Sequence, residues 1–487
     1  MHHVLAIDQG TSGTKAVVVD PAGTVLAAVE VGHPPRHLPD GGVEHDPEAL
    51  WSAVVTTGRR ALAEAALPDG AVAAVALANQ GETVLAWDRA TGRPLTPAVV
   101  WQDRRAAGIT DDLRARGHGD EVSRRTGLVL DPYFSAPKMR WLREHLTTEG
   151  VVTTTDAWLV HRLCGAFVTD VSTAGRSLLT TLADPTVWDA ELLGLFDLAD
   201  EPLPAIVASD DVVGTTEAFG APLAVTGLVV DQQAALLAQG GWEAGAAKCT
   251  FGTGAFLLVQ TGTTPVASAG GLVTCPAWRL RDETRFCLDG QVYTAASAVD
   301  WLAGLGVLAG AAEVDAVAAP DAGGVQFVPA LTGLAAPWWR PGATASLTGL
   351  RLGTGRGEVV RAVVEGVAAS VVHLLDVVRR DGAVVDRLRV DGGLTRSAVL
   401  LQALADRAQV PVEVHPSAHA TALGAAVAAR LALDPTLTPA AALPPVVPRS
   451  VVTPAWSPDR ATAEQERWVA AAAAVAAAPA PHQQEQP

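Results

Sequence analysis

Residues 8–15 combine an acid, small polar residues and a lysine between two apolar strands, and this combination can bind phosphate. The turn sequence Gln-Gly-Thr-Ser-Gly-Thr exposes backbone N–H groups, and such a nest favours phosphate oxygens. Asp8 supplies the hard oxygen ligand that Mg²⁺ prefers, and Lys15 adds a positive charge. The Gly-x4-Gly-Lys-Ser/Thr spacing of a Walker loop is absent. The segment therefore indicates either a phosphate-binding hairpin, and with it a nucleotide, or an ordinary glycine-containing turn.

Asp231 is a second acid placed where it could do chemistry. It stands between a predicted strand, Leu223–Leu228, and a predicted helix that begins at Gln233. A carboxylate at a strand end can act as a general base that takes the proton of an attacking hydroxyl. The same position suits an N-cap for the following helix, which is the more common role of such an aspartate. The residues alone leave both interpretations open.

Composition limits the class of protein. The 487 residues exceed what one core usually serves, so two domains are expected. The hydrophobic content of 49% and the charged content of 18% are typical of a well-buried globular protein. A formal net charge of −17 without a basic run argues against a nucleic-acid surface. The sequence shows no secretory signal and no apolar run long enough to span a bilayer.

Cysteine usage predicts neither a zinc site nor a disulfide framework, because no C-x-x-C pair occurs. The four cysteines are expected to be reduced thiols of a cytoplasmic protein. They are Cys164, Cys249, Cys275 and Cys287.

The second half of the chain repeats the plan of the first. A short strand, Ala246–Cys249, is followed by the turn Phe251–Gly254 and by another strand, Phe256–Gln260. This repeat of strand, small-residue turn and strand predicts two similar domains that present phosphate-facing hairpins to a shared cleft. We expect an N-terminal domain over 1–240, a C-terminal domain over 241–435, and a partly ordered Pro/Ala-rich tail over 436–487.

Periodicity and capping signals predict the main helices. Asp46 is a plausible N-cap followed by proline at the first helical position. The predicted helices are Pro47–Ala65, Asp103–Leu113, Thr153–Arg162, Gly357–Arg380, Arg396–Ala408 and Thr421–Leu433. In the tail, Trp456 and Trp468 are expected to hold part of the chain against the domain.

Taken in order, these segments resemble the FGGY family of carbohydrate kinases over roughly residues 4–430. Tyr133–His145 is similar to the first family signature, and Ala345–Leu350 with Glu358–Glu365 is similar to the second. The resemblance implies an α/β fold of two actin-like (ribonuclease H-like) ATPase domains with a cleft between them. It also implies ATP-dependent phosphorylation of a small polyol or sugar, Mg²⁺ as the metal, a homodimer and a cytoplasmic location.

Within the family, three segments resemble the polyol site of glycerol kinases. They are Asn79–Thr83, Val100–Arg105 and Asp131–Ser135. By this resemblance the acceptor pocket would consist of Gln80, Gly81, Glu82, Trp101, Tyr133, Asp231, Gln232 and Phe256, with Asp231 as the catalytic base.

Gly81 departs from the glycerol kinase pattern, which has an arginine that donates hydrogen bonds to glycerol. Unless another group fills that space, glycerol loses contacts and a longer acceptor gains room. Erythritol, a pentitol or a ketose therefore stays open as the acceptor. A second class, an actin-like ATPase or a non-catalytic sugar sensor, is also open. Asp231 and the polyol-site residues argue against that class.

The resemblance also implies a nucleotide site. Its residues would be Thr11, Ser12, Gly13, Thr14, Lys15, Gly252, Thr253, Ala296, Asp300, Gly392, Gly393 and Ser397, with Asp8 and Asp231 near the metal. Five positions depart from glycerol kinases, and they affect base and ribose recognition more than phosphate binding. They are Lys15 for Arg, Ala296 for Gly, Asp300 for Gln, Ser397 for Asn and His419 for Glu.

Overall fold

Two large mixed sheets, one in each half of the chain, form the framework of the protein. The structure is a computed structural model that describes residues 2–443 and 446–479. The strands of the first half are β1 (His3–Gln9), β2 (Gly13–Val19), β3 (Val25–Gly32), β4 (Arg36–His37), β5 (Val43–His45), β6 (Val72–Asn79), β7 (Val84–Asp88), β8 (Arg93–Pro94), β9 (Ala98–Val99), β10 (Val151–Thr154), β11 (Val168–Asp170), β12 (Ala205–Val207), β13 (Gly214–Thr216) and β14 (Leu223–Val230). Its helices are α1 (Pro47–Ala65), α2 (Ala107–Ala115), α3 (Gly119–Thr126), α4 (Ser135–His145), α5 (Thr155–Cys164), α6 (Val171–Ala174), α7 (Ala190–Leu195) and α8 (Asp231–Ala238).

The second half contains fewer strands and longer helices. Its strands are β15 (Ala247–Phe251), β16 (Ala255–Gly262), β17 (Val273–Leu280), β18 (Glu283–Val292), β19 (Gln326–Val328), β20 (Ser346–Thr348), β21 (Leu388–Asp391), β22 (Val412–Val414) and β23 (Ser450–Val452). Its helices are α9 (Ala296–Gly304), α10 (Val314–Val317), α11 (Arg356–Arg380), α12 (Ala398–Ala408), α13 (Ala420–Leu433), α14 (Pro439–Ala442) and α15 (Pro458–Ala477), with 3₁₀ turns at Ala311–Glu313 and Gly393–Arg396. Within the described ranges, no helix has both the length and the apolarity needed to cross a membrane.

The first sheet brings three turns to one edge. Its strand order is β13-β14-β6-β1-β2-β3, in which β1, β6 and β14 are parallel. Gln9, Asn79 and Val230 lie side by side at the ends of these strands. Because parallel strands end at the same edge, the turns that follow them are neighbours. The phosphate-type hairpin, the segment after Asn79 and Asp231 therefore meet although they are far apart in the sequence.

The second sheet repeats this plan. Its order is β17-β18-β16-β15-β21-β22-β23, with an antiparallel β15–β16 hairpin and with β21 and β22 parallel to β15. Thr250 lies opposite Asp391, so the turns at 251–254 and 392–393 also share an edge. The predicted internal repeat and the α/β fold class are confirmed.

Two helices join the halves at very short range. The α13 helix of the second half packs against α8 and against the first sheet. A Cβ on Gly424 would stand 1.8 Å from the carbonyl oxygen of Ala234, so only glycine permits this crossing. Since α8 begins at Asp231, this contact fixes the helix that carries the candidate base.

Most predicted elements are present, with some changed boundaries. Asp46 caps α1 by accepting the backbone N–H of Glu48. The helix predicted from Asp103 begins at Ala107 instead, because the Asp103 carboxylate accepts the backbone N–H groups of Val43 and Arg105 and holds a turn. The helix predicted from Gln233 begins two residues earlier, at Asp231.

The C-terminal segment is part of the second half of the fold. Strand β23 forms the edge of the seven-stranded sheet, and α15 packs on α11, α12 and β19. Trp468 is 3% exposed and donates its indole N–H to the carbonyl of Phe327. Trp456 stacks under the guanidinium of Arg460. The end of the expected tail, residues 480–487, lies outside the described residues.

Candidate active site

Asp8 and Asp231 are buried carboxylates, and Asp231 lies close enough for its charge to raise the pKa of Asp8. Burial raises the pKa of Asp8 to about 7, and the charge of Asp231 adds to the effect. Burial likewise raises the pKa of Asp231 to about 6. The side chain of Asp231 accepts the backbone N–H of Gln232 at 2.6 Å, so the carboxylate is fixed in the first turn of α8 without serving as its N-cap, which is Val230.

The tip of the first hairpin is accessible. Ser12 is exposed, while Thr11 and Gly13 are partly exposed. The hydroxyl of Thr11 accepts the indole N–H of Trp101 at 2.9 Å. The hairpin is thereby tied to an aromatic residue predicted for the acceptor pocket.

Thr14 and Lys15 have partners outside a phosphate site. Thr14 is fully buried, and its hydroxyl is hydrogen-bonded to Nε2 of His33 at 2.8 Å. Lys15 forms an ion pair with Glu30 at 3.5 Å on the adjacent strand, and it lies directly opposite Asp8 in the β1–β2 pairing. The structure therefore brings the charge of Lys15 near Asp8 but does not bring the hydroxyl of Thr14 to the surface.

The second hairpin faces open space and supports α9. A Cβ on Gly252 would have only the Gly254 carbonyl oxygen nearby, at 3.9 Å. Thr253 is exposed, and its carbonyl accepts the backbone N–H of Ala295 at 2.8 Å. Ala296 donates its backbone N–H to Gly252 at 3.1 Å, whereas Asp300, one turn later, is exposed.

The glycine turn after β21 has two different glycines. Gly392 has φ +94° and a Cβ there would lie 2.2 Å from the Phe251 carbonyl oxygen, so protein packing requires this glycine. Gly393 has no atom within 4 Å of such a Cβ and faces open space. The hydroxyl of Ser397 caps α12 and donates to Asp315 at 2.6 Å, so it is already engaged in structural bonds.

Three aromatic side chains from both halves meet beside the hairpins. The ring centres of Trp101 and Tyr133 are 5.4 Å apart, and those of Trp101 and Phe256 are 6.2 Å apart. Buried Lys138 donates to the carbonyls of Pro132 and Phe134, at 3.0 and 2.7 Å, and so holds the loop that carries Tyr133. These flat apolar walls suit the carbon chain of a small polyol.

Glu82 is held in a strained conformation at this pocket. Its φ of +60° is uncommon for a residue with a side chain and costs of order 1–3 kcal/mol. The residue is 3% exposed, and burial raises the pKa of its carboxyl while the guanidinium of Arg176, with which it pairs, lowers it. The neighbouring Gln80 is buried, and neither atom of its amide has a hydrogen-bond partner within the described residues.

Sequence reasoning missed two cations of the site. Arg176 pairs with Glu82 and, at 2.7 Å, with Asp289 of the second half. Lys248 is buried and donates to the amide oxygen of Gln232 at 2.6 Å, which fixes that side chain. Neither residue belongs to a motif-like turn, and only their buried ion pairs and hydrogen bonds identify them.

Comparisons with known proteins agree with this geometry. The model of the FGGY family of carbohydrate kinases matches residues 3–238 with its N-terminal domain and residues 247–433 with its C-terminal domain. A glycerol kinase of Alkalilimnicola ehrlichii is 43% identical over 89% of this chain and 90% of its own length. A glycerol kinase of Thermus brockianus is 43% identical over 88% and 89%.

Solved structures give the same result. The crystal structure of Plasmodium falciparum glycerol kinase with ADP superimposes with a TM-score of 0.89 and 29% sequence identity, and 98% of each chain is covered. The two repeated sheets, the two accessible hairpins and these similarities lead to one conclusion: the chain belongs to the FGGY family of carbohydrate kinases, phosphotransferases with an alcohol group as acceptor.

Proposed function

We propose that this protein is an ATP-dependent glycerol kinase that transfers a phosphoryl group to a terminal hydroxyl. The observation that carries the proposal is the position of Asp231. It lies at the sheet edge that also carries the first hairpin, and it is close enough to Glu82, which is far away in the sequence, for the two charges to interact. The names of the similar glycerol kinases support glycerol as the acceptor. The polyol pocket disfavours a filament-type ATPase, and the retained Asp231 disfavours a non-catalytic sensor.

The donor side fits ATP and Mg²⁺. The accessible tips at 11–13 and 252–253, together with Gly393, offer backbone groups and open space to phosphates. Burial raises the pKa values of the carboxyl groups of Asp8 and Asp231, so their ionised forms are unfavourable without a cation. A divalent cation between them would offset this negative charge. Mg²⁺ in kinases is commonly held by one or two carboxylates plus phosphates and waters, and it neutralises charge on the phosphates.

The residues of the chain perform the remaining steps. Trp101, Tyr133 and Phe256 hold the carbon chain, while Glu82 and Gln232 bind hydroxyls. Asp231, ionised at neutral pH because its pKa is about 6, accepts the proton of the attacking hydroxyl. Positioning and electrostatics supply most of the rate, as in phosphoryl transfer generally.

ADP release from ATP, measured with glycerol, erythritol and xylitol, tests the activity. We expect glycerol to stimulate release most, and Asp231→Asn to retain binding of both substrates while losing at least about a hundredfold in turnover. Asp69→Asn, an exposed carboxylate on the surface, serves as the control and should match the original protein. Near-normal turnover in Asp231→Asn, or no stimulation by any acceptor, contradicts the proposal. If erythritol or xylitol stimulates ADP release more than glycerol does, the acceptor in the proposal is the longer polyol and not glycerol.

Two further expectations come from the family. We propose a homodimer, and static light scattering of the purified protein would measure its mass. We also propose a cytoplasmic location, which fractionation of cells would measure. A monomeric mass contradicts the first and recovery outside the cytoplasm contradicts the second.

A further inference from the structure

The position beside Gly81 is occupied by another arginine. A Cβ on Gly81 would stand 3.7 Å from Cδ of Arg176 and 3.4 Å from Cγ1 of Val230. Both distances are ordinary van der Waals contacts. The stem of Arg176 therefore runs past the position from which a side chain at residue 81 would enter the pocket.

Carboxylates from both halves of the protein hold the guanidinium of Arg176. Nε pairs with Glu82, and Nη1 pairs with Asp289 at 2.7 Å. The side chain is only 4% exposed. Within residues 2–443 and 446–479, Nη2 makes no hydrogen bond, and it is not fully enclosed by other atoms. One end of the fork thus stays available for a ligand.

The guanidinium group of Arg176 lies among residues of the candidate acceptor pocket. Cζ of Arg176 lies 5.8 Å from the centre of the Tyr133 ring. On β18, Gln291 lies directly opposite Phe256 and donates to Asp289 at 2.8 Å. Oε1 of Gln291 and Oδ1 of Asp289 are buried without a partner within the described residues. Unpaired buried polar atoms are costly, and these two enclosed oxygens keep the surroundings of the guanidinium polar.

We propose that Arg176 is the acceptor-binding arginine of this protein and that Nη2 donates a hydrogen bond to a hydroxyl of the polyol. The inference rests on the proposed function and deepens it, because it names a residue that determines specificity. Glu82 and Asp289 hold the fork rigidly, so the donor is preorganised for the acceptor. Because Asp289 comes from the other half, the acceptor pocket is complete only when both domains contribute.

Kinetics of Arg176→Met and Arg176→Lys test this role. Loss of a hydrogen bond from a charged donor predicts that Arg176→Met raises the KM for glycerol by about ten- to a hundredfold, while the KM for ATP stays unchanged. Lysine keeps the charge but not the planar set of donors, so the KM of Arg176→Lys for glycerol should lie between those of the original protein and Arg176→Met.

Deoxy acceptors separate binding from a purely structural role. The substrates are glycerol, 1,3-propanediol, which lacks the middle hydroxyl, and 1,2-propanediol, which lacks a terminal one. For the analogue that lacks the contacted hydroxyl, we expect the kcat/KM of Arg176→Met to equal that of the original protein. An equal loss with glycerol and both analogues overturns the proposal.

Arg407→Met is the matched control. Arg407 is buried and pairs with Glu365 at 3.4 Å, outside the acceptor pocket. This variant should lose thermal stability without a change in the KM for glycerol. A rise in that KM equal to the rise in Arg176→Met also overturns the proposal.

Two outcomes keep the inference separate from the proposed function. If no acceptor stimulates ADP release by the unaltered protein, the proposed function fails; if stimulation occurs but is insensitive to Arg176, only this inference fails. Should Arg176→Met not fold, Arg176→Lys decides, and an unchanged KM for glycerol in that folded variant contradicts the proposal.

Discussion

At the scale of single residues, the site holds acids where their charge is unfavourable. The pKa of Asp8 is raised to about 7 by burial and by the charge of Asp231. A raised acid pKa gives stability that is present below the unfolded value, near 4, and is lost as the pH rises through 7. The ligand-free protein therefore loses stability over this range.

Asp8→Asn should remove this loss of stability. We expect its melting temperature to exceed that of the original protein at pH 8 and to approach it at pH 4, because only the ionised carboxylate is unfavourable. Each pKa unit corresponds to about 1.4 kcal/mol, so the effect is of the order of a few kcal/mol. Differential scanning calorimetry without ligand measures it, with Asp69→Asn as the exposed control. A pH-independent difference would show that the charge of Asp8 is not the cause.

At the scale of elements, the contact between α8 and α13 sets the position of the candidate base. Gly424→Ala would place a methyl group 1.8 Å from the Ala234 carbonyl oxygen, so the two helices must separate. Because Asp231 is the first residue of α8, we expect both a lower melting temperature and a lower kcat. Overpacking of this kind typically costs about 1–3 kcal/mol, or more where backbone must move.

Gly194→Ala provides the helical control for that change. Gly194 lies in α7 and has no atom within 4 Å of an added Cβ. This variant should retain the melting temperature and kcat of the original protein. If Gly424→Ala behaves like Gly194→Ala, the close crossing does not constrain the site.

At the scale of the whole molecule, the domains share buried contacts. One apolar cluster contains Phe134 and Leu237 of the first half together with Trp278 and Cys287 of the second. The Arg176–Asp289 pair and the α8–α13 crossing add to this connection. We therefore expect the two domains to unfold together.

Calorimetry of variants in each domain tests this cooperativity. Trp158→Ala and Val371→Ala each truncate a fully buried side chain, one in each half. The tryptophan change should cost about 3–5 kcal/mol. Both variants should shift one common transition to lower temperature. Two separate transitions, of which each variant moves only one, contradict shared unfolding.

The sequence by itself determined the repeated hairpins, the order of the motifs and the candidate base. Turns such as Phe251–Gly254 are recognisable because glycine and small polar residues act locally on the backbone. Helix boundaries were less predictable where a side chain competed with the helix, as the Asp103 carboxylate does at the start of α2.

Only the tertiary structure decided what stands beside Gly81. Arg176 is 94 residues from Glu82 and 113 from Asp289 along the chain, and no local spacing connects them. It likewise decided that Thr14 is buried against His33 and that Ser397 caps a helix. The physical reason is that burial and side-chain pairing depend on which distant segments the two sheets bring together, whereas turns depend on neighbouring residues alone.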